Sequence, residues 1–185
     1  MSLTNDYIKQ RLVEKFGEAL TSFEESFGVL SFAAPAALNL KVMQFLYDDE
    51  ELQFRFLTDL TAVHYPHQVD AELAVVYHLY NFREKVRLRF KVFVPVAAPQ
   101  VFTATKLFES ANWMERESYD FFGVDFVGHP NLKRILNVDE MTIFPMRKEY
   151  PLEDNTRRDK NDEMFGRDPD LILGEGKDRM NTEKK

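Results

Sequence analysis

Residues 85–92 alternate without a break: Lys85, Arg87, Arg89 and Lys91 interleave with Val86, Leu88, Phe90 and Val92. Successive side chains of a strand point to opposite faces, so this run makes a strand with one basic face and one apolar face. A sheet built on it is covered by protein on one side and wetted on the other. The preceding run, 71–80, places Leu73, Val75, Tyr77 and Leu79 on one face. The short gap at Asn81 to Glu84 joins the two as an antiparallel hairpin. A third strand is expected over 53–61 and a fourth over 27–33.

Helical signals surround this sheet. Residues 4–17 carry Ile8, Leu12 and Phe16 four apart, with Thr4 as cap, Leu3 and Ile8 as a hydrophobic staple and Gly17 as a stop. Pro35 suits the first turn of a second helix that faces the core with Leu38, Val42, Phe45 and Leu46. The acidic run from Asp48 to Glu51 ends it as a solvated loop. Residues 99–109 read as helical. Residues 113–122 form a short helix, with Asn112 as N-cap, Glu115 in a capping box and Gly123 as terminator. The reading is an α+β fold, a two-layer domain over residues 1–151 with helices on one face of a mainly antiparallel sheet. A charged, extended C-terminal arm, 152–185, follows. Eighteen of its 34 residues are charged, and its only apolar island is Leu171, Ile172 and Leu173. A segment this polar buries too little to fold alone.

Composition removes several functions. The chain has no cysteine, so disulfides, thiolate nucleophiles, Cys zinc sites and cysteine-held iron–sulfur clusters are excluded. A net charge of −7 argues against nucleic acid as a partner. No apolar run reaches the ~20 residues of a membrane span. Asp6, Glu14 and Glu18 make the start unlike a targeting peptide, and a bacterial-type cytoplasm is the expected compartment. His64 and His67, with His78 further on, are a weak metal set, since Pro66 lies between the first two and they share no helix face. His129, in a Gly-His-Pro turn, suits a ring that bonds the backbone. Gly174-Glu175-Gly176 runs on to Arg179 rather than a third glycine, and no phosphate-binding loop motif occurs.

The 113–122 helix carries an anomaly. At 100° per residue, Trp113, Met114 and Phe121 span an arc of about 100°. Glu117 falls in its middle and Asp120 at its edge. A carboxylate in an apolar face must be paired, protonated or functional. The expectation is a buried structural ion pair at Glu117, with Lys133, Arg134 or Arg147 as partner, and an Arg116–Asp120 pair one turn apart. Further on, Pro145 and Pro151 frame an extended segment, Met146-Arg147-Lys148-Glu149-Tyr150, that leads into the arm.

These residues resemble a family. Trp113-Met114-Glu115-Arg116-Glu117-Ser118-Tyr119-Asp120-Phe121-Phe122-Gly123 is similar to the WxEREx2DxxG signature of the C subunit of proton-translocating NADH–quinone oxidoreductase, respiratory complex I. The likeness continues through Phe126-Val127-Gly128-His129-Pro130-Asn131-Leu132-Lys133-Arg134-Ile135-Leu136 and Arg147-Lys148-Glu149-Tyr150-Pro151-Leu152. Ile143 and Phe144 stand where the family usually has Gly-His before its second Pro. Asn131, Lys133 and Glu149 replace the commoner Asp, Arg and Asp. The resemblance implies a structural, assembly subunit of the peripheral arm of an enzyme that couples electron transfer from NADH to quinone with proton translocation. Such a subunit has no catalytic, cofactor or metal residues of its own. FMN and iron–sulfur clusters lie on partner subunits. The implied partner is the large quinone-site subunit of that enzyme, its D subunit, with other peripheral-arm subunits. The location is the cytoplasmic side of the bacterial inner membrane, with membrane contact only through the complex. The signature residues implied for interface or structure are Glu115, Arg116, Glu117, Asp120, Gly123, Gly128, His129, Pro130, Arg134, Arg147, Lys148, Tyr150 and Pro151.

Three other readings stand beside it. One is the corresponding subunit of a related membrane-bound hydrogenase complex. Another is a hydrolase or isomerase using Glu117 and Asp120. The last is a module binding anionic partners through the basic strand. The arm yields a direct expectation: truncation after Leu152 leaves the melting temperature of the domain nearly unchanged but weakens docking to partner subunits. Thermal melts and incorporation into membrane complexes measure the two halves, and full incorporation would remove the arm's docking role.

Overall fold

In the computed structural model, residues 3–150 are described. The arm, its apolar island and Pro151 lie outside them. The elements are α1 (Asn5–Phe16), β1 (Thr21–Ser26), β2 (Val29–Pro35), α2 (Asn39–Asp48), β3 (Phe56–His64), β4 (Leu73–Asn81), β5 (Val86–Val94), β6 (Gln100–Phe102), α3 (Ala111–Phe122) and β7 (Asp125–Val127). Five strands form one sheet in the order β1-β2-β5-β4-β3. Its pairings are antiparallel except β2 with β5, which run parallel after a crossover through α2, β3 and β4. The domain is thus α+β, with a mainly antiparallel sheet. β6 and β7 form a separate parallel pair.

The apolar face read from residues 85–92 is the inner face of this sheet. Phe32, Phe90, Tyr77 and Leu60 stand side by side across four strands. The Phe90 ring stacks on Tyr77 at 4.5 Å and on Phe32 at 5.5 Å between centroids. All four side chains are buried, and Val42, Met43 and Leu46 of α2 and Ile8 and Leu12 of α1 join the same core. Asn39, at the start of α2, donates one amide group to the Tyr77 hydroxyl (3.4 Å) and to the Phe102 carbonyl (2.7 Å). One side chain thereby links α2, the sheet and β6.

The outer face is more varied than alternation alone implies. Arg87 is exposed, but Arg89 donates to the Ser31 hydroxyl at 2.8 Å and Lys91 lies 3.8 Å from Glu24. Ala74 and Val76 on the interior strand β4 are buried although they face outward. Ala74 is flanked in register by Val63 and Phe93, whose larger side chains stand on either side of it.

Several boundaries differ from the local signals. α1 is capped by Thr4, whose hydroxyl accepts the Tyr7 N–H at 3.3 Å. The strand expected over 27–33 starts at Val29, because Phe27 and Gly28 form the tight turn of a β1–β2 hairpin with φ of 51° and 75°. That positive pair matches the right-handed twist of two-residue hairpins. β1 has no apolar face to signal it: five of its six residues are exposed. Pro35 ends β2, and a single 3₁₀ turn, Ala36–Leu38, precedes α2. β3 begins three residues later than expected, since the Phe54 N–H bonds back to Leu46 of α2 and the Gln53 N–H to Asp49 just after it. The helix expected over 99–109 does not form. Val101 and Phe102 pair with Phe126 and Val127 instead, and only one turn, closed at Ala104, follows.

Phe90 sits between two rings at the centre of this layer. Phe90→Ala is expected to cost about 3–5 kcal/mol by cavity formation and lost ring contacts. Urea unfolding of the purified chain measures it, and a loss under about 1 kcal/mol would show that the stack is not central to the core.

Candidate functional site

α3 packs against β3 and buries a stripe of Ala111, Glu115, Ser118 and Phe122. The spacing is that of one helix face, and its members are small or polar apart from Phe122 at its end. The helix starts at Ala111 with Ser110 before it, and no side chain caps its first turn. Asn112 is therefore inside the helix, and Glu115 turns inward instead of reaching back as a capping box. At the other end Gly123 adopts φ 75° and ψ 30°, and its N–H bonds the Tyr119 carbonyl at 2.8 Å. A Cβ on Gly123 would lie 2.6 Å from Phe144 and 2.7 Å from Arg147. Both the left-handed conformation and the close approach require glycine there.

The buried carboxylates of α3 are Glu115 and Asp120, not Glu117. Glu117 is exposed and Trp113 is 59% exposed, while Met114 and Phe121 on either side are half-buried against the core, so the middle of the bulky arc faces outward. Ala111 and Ser118 are small enough to let this face lie close to the sheet beside Glu115 and Phe122. Arg116 does not pair with Asp120. It donates to the Lys133 and Arg134 carbonyls at 3.2 and 3.1 Å and stacks on Trp113.

Asp120 is held by the segment that follows β7. Its Oδ1 accepts from Arg134 at 2.7 Å and from the Asn137 amide at 3.1 Å. Its Oδ2 accepts three consecutive backbone N–H groups, from Ile135 (3.1 Å), Leu136 (2.8 Å) and Asn137 (2.9 Å). Successive N–H groups converging in this way form an anion nest. Burial alone pushes the Asp120 pKa up. The Asn137 and Leu136 N–H groups and the Arg134 guanidinium outweigh it and hold the carboxyl well below its ordinary range.

Arg134 and Arg147 complete the clamp. Arg134 also donates to the carbonyls of Asp120 (2.8 Å), Met141 (2.6 Å) and Ile143 (3.1 Å). Arg147 donates to the Phe122 carbonyl at 2.7 Å and stacks on Phe144 at 4.6 Å. Two guanidinium groups thus meet the open carbonyls at the C-terminal end of α3, where the helix dipole favours cations. Residues 145–150, expected to be extended, instead make two turns, Phe144 to Arg147 and Arg147 to Tyr150, because Arg147 is drawn inward to α3. The Lys148 N–H bonds the His64 ring at 3.0 Å, while its side chain points into solvent.

The remaining signature residues hold the start of the segment. His129 follows Gly128 in a turn. Its Nδ1 accepts the Asn131 N–H at 3.0 Å, so Nε2 carries the proton and donates to the Asn112 carbonyl at 3.1 Å. This is the backbone-bonding role read for it from sequence. Pro130 is exposed at the same turn. Glu115 accepts from the Ala104 N–H and the Thr103 hydroxyl, both at 2.6 Å. Burial pushes its pKa up to about 7 against those two bonds. Thr103, Asn137 and Phe144 were not singled out as site residues by sequence, and His64 was weighed only as half of a metal pair, whereas its ring accepts the Lys148 N–H. Their roles arise from contacts 12 to 84 residues distant, and of the first three only Phe144, at a departure from the family pattern, left a signal.

Chemically the cluster is a self-satisfied scaffold. Asp120 already accepts five hydrogen bonds from Arg134 and residues 135–137, so it has no free lone pair for proton abstraction. Glu117 faces solvent rather than Asp120. Among the described residues no group of three or more His, Asp and Glu is placed to hold a metal ion.

Comparison with known proteins matches residues 32–156 to the family described as respiratory-chain NADH dehydrogenase, 30 Kd subunit. The chain belongs to this family. The NADH-quinone oxidoreductase C subunit of Citrifermentans bemidjiense is 43% identical over 143 residues, covering 77% of this chain and 87% of that protein. Its counterpart in Geobacter sulfurreducens is 39% identical with the same coverage. Among solved structures, the trypsin-resistant fragment of Nqo5 aligns with a TM-score of 0.57 at 31% identity, over 68% of this chain and 98% of that one. The fold alone is shared with a chain of an archaeal membrane-bound sulfane sulfur reductase, at TM-score 0.67 and 24% identity over 80% of this chain and 85% of that one. The family match contains the whole clamp and leaves α1 and β1 outside it.

Asp120→Asn keeps the shape of this 30 kDa-family clamp but removes the charge that Arg134 faces. It is expected to cost about 3–5 kcal/mol at pH 7. Because the native pKa is depressed, the Asp120 contribution is present above the unfolded value of about 3.9 and lost as pH falls below it. Unfolding curves at pH 7 and pH 3 test both parts: the variant and the natural chain should differ at pH 7, and the difference should be smaller but still present at pH 3.

Proposed function

We propose that this chain is a structural, assembly subunit of the peripheral arm of NADH–quinone oxidoreductase, bearing no redox centre of its own. The single observation that carries this reading is the clamp. Five donors to Asp120 and the Arg134 and Arg147 contacts are spent on fixing a segment without regular structure. That segment presents Leu136, Val138, Ile143 and Met146 to the outside. A rigid platform with outward apolar side chains is what an interface between subunits needs, since ordering costs are met before docking.

Family membership supplies the enzyme, and the proposed partner is its quinone-site subunit, with other peripheral-arm subunits beside it. FMN and iron–sulfur clusters belong to those partners. The absence of cysteine supports this, because a thiolate-held cluster has no ligands here. No helix among the described residues is long and apolar enough to cross a membrane. That agrees with attachment, through the complex, to the cytoplasmic side of the bacterial inner membrane. The chain then takes part in coupled electron transfer and proton translocation by holding subunits in place. The arm, 152–185, is proposed to extend over those neighbours. The shared fold with the archaeal sulfane sulfur reductase favours one second reading, the equivalent subunit of a related membrane-bound complex.

A tagged full chain, recovered from solubilised membranes, tests both readings. Co-purifying flavin- and cluster-bearing subunits with NADH–quinone activity support the first. Recovery with a complex lacking NADH oxidation supports the second, and recovery as a free monomer overturns both. In the same assay Arg134→Ala is expected to lower the amount of assembled complex several-fold while leaving turnover per assembled complex unchanged. Glu117→Ala, at an exposed position, should alter stability by no more than about 0.5 kcal/mol. Normal assembly of Arg134→Ala with abolished turnover would instead give the clamp a catalytic role.

A further inference from the structure

Asp120 has a cation and Glu115 has none. Glu115 is fully buried, and no Lys, Arg or His among the described residues makes an ion pair with it. Its two oxygens each accept one neutral donor, the Ala104 N–H and the Thr103 hydroxyl. From the sheet, the titratable group near it is the Tyr77 phenol of β4. That phenol is itself buried, bonded to Asn39 of α2, and held neutral because burial pushes its pKa up. An ionised carboxylate in this position therefore bears its desolvation cost without a compensating charge.

The neighbouring hydroxyls fit either protonation state. The Thr103 Oγ1 lies 2.9 Å from the Thr105 hydroxyl and accepts the Thr105 N–H at 3.2 Å. When Glu115 is ionised, Thr103 donates to it and accepts from Thr105. When Glu115 carries a proton on Oε2, that proton goes to Thr103, which turns its own hydrogen to the Thr105 hydroxyl. Each hydroxyl then keeps one donor and up to two acceptor roles in both states. The Ala104 N–H bond persists in both. The chain of hydroxyls ends at Thr105, which is half-buried and so within reach of solvent exchange. The Thr103 N–H also bonds the Val127 carbonyl at 3.1 Å, so the same residue joins α3 to β7.

We propose that Glu115 is a proton-operated latch between α3 and the segment after β6, strengthened by protonation and weakened by ionisation, with the Thr103 and Thr105 hydroxyls as the element that reverses. The direction follows from linkage. Unfolded glutamate titrates near 4.3, whereas burial holds latched Glu115 at about 7. The latch contribution is full below the unfolded value and is lost as pH rises through about 7, after which it stays flat. This is opposite in sign to Asp120. The proposal stands independently of the assembly reading, because its readouts need no partner subunit.

The test uses the full 185-residue chain and E115Q. Glutamine keeps an oxygen for the Ala104 N–H and offers a hydrogen to Thr103, as the neutral acid does. Between pH 5 and pH 8 the unfolding constant of the natural chain, divided by that of E115Q, should rise by roughly a hundredfold. Parallel pH profiles would overturn the latch. Infrared difference spectra give a second measure that needs no folded variant. A buried carboxylic acid band that titrates near neutral pH supports the proposal, and its absence at pH 6 overturns it. Thr103→Val should move that titration to higher pH, because the ionised form loses a donor. An unchanged midpoint would remove the hydroxyl chain from the mechanism.

Discussion

The buried charge of Asp120 organises the part of the molecule that has no regular structure. A carboxylate with no solvent contact needs its full set of donors, and α3 alone offers none. The chain must therefore return so that the N–H groups of residues 135–137 and the Arg134 guanidinium surround it. Arg134 then has donors left for the carbonyls of Met141 and Ile143, which satisfies backbone groups that neither helix nor sheet would satisfy. Arg147 and Phe144 close over Gly123 from the other side. Each contact depends on the others being made, so the segment behaves as one cooperative unit rather than a loop with separate anchors.

This unit is only as well placed as α3, and α3 is placed by the sheet. The aromatic row through Phe32, Phe90 and Tyr77 fixes the inner layer. Asn39 ties that layer to β6, and Glu115 ties the residues after β6 to α3. Polar side chains thus pass position from the hydrophobic core to the exposed platform in two steps. The two acidic residues of α3 that take part do so by opposite means. Asp120 is stabilised as an anion by surplus donors, and Glu115 is favoured as a neutral acid by burial. The domain is accordingly poised between acid loss of one and alkaline loss of the other.

Much of this was legible along the chain because some rules act over a few residues. Strict alternation specified β5 and its hairpin with β4. Thr4 at the start of α1 and Gly123 at the end of α3 are short-range caps whose effect needs no distant partner. The signature around Trp113 to Gly123 pointed to the family that the comparison confirms. The turn role of His129 depends on residues within one loop and one helix end, and it too was readable. Edge strand β1 and the three-residue β6 were not, since neither has the apolar period that marks a strand.

Tertiary structure alone decided which face of α3 is inside. Bulky Trp113 and Phe121 favoured an arc centred on Glu117, but the face packed inward is that of Ala111, Glu115, Ser118 and Phe122, and so Glu115 is buried while Glu117 faces solvent. The partner of Asp120 was likewise decided in three dimensions. Arg116, one turn away, is diverted to carbonyls of the returning segment, and Arg134 takes its place. The amino-acid sequence determined that this chain builds a one-sided sheet with capped helices and that carboxylates on α3 need partners. It could not determine which carboxylate, because periodicity ranks residues by hydrophobicity, whereas packing selects a helix face by how closely two backbones can approach.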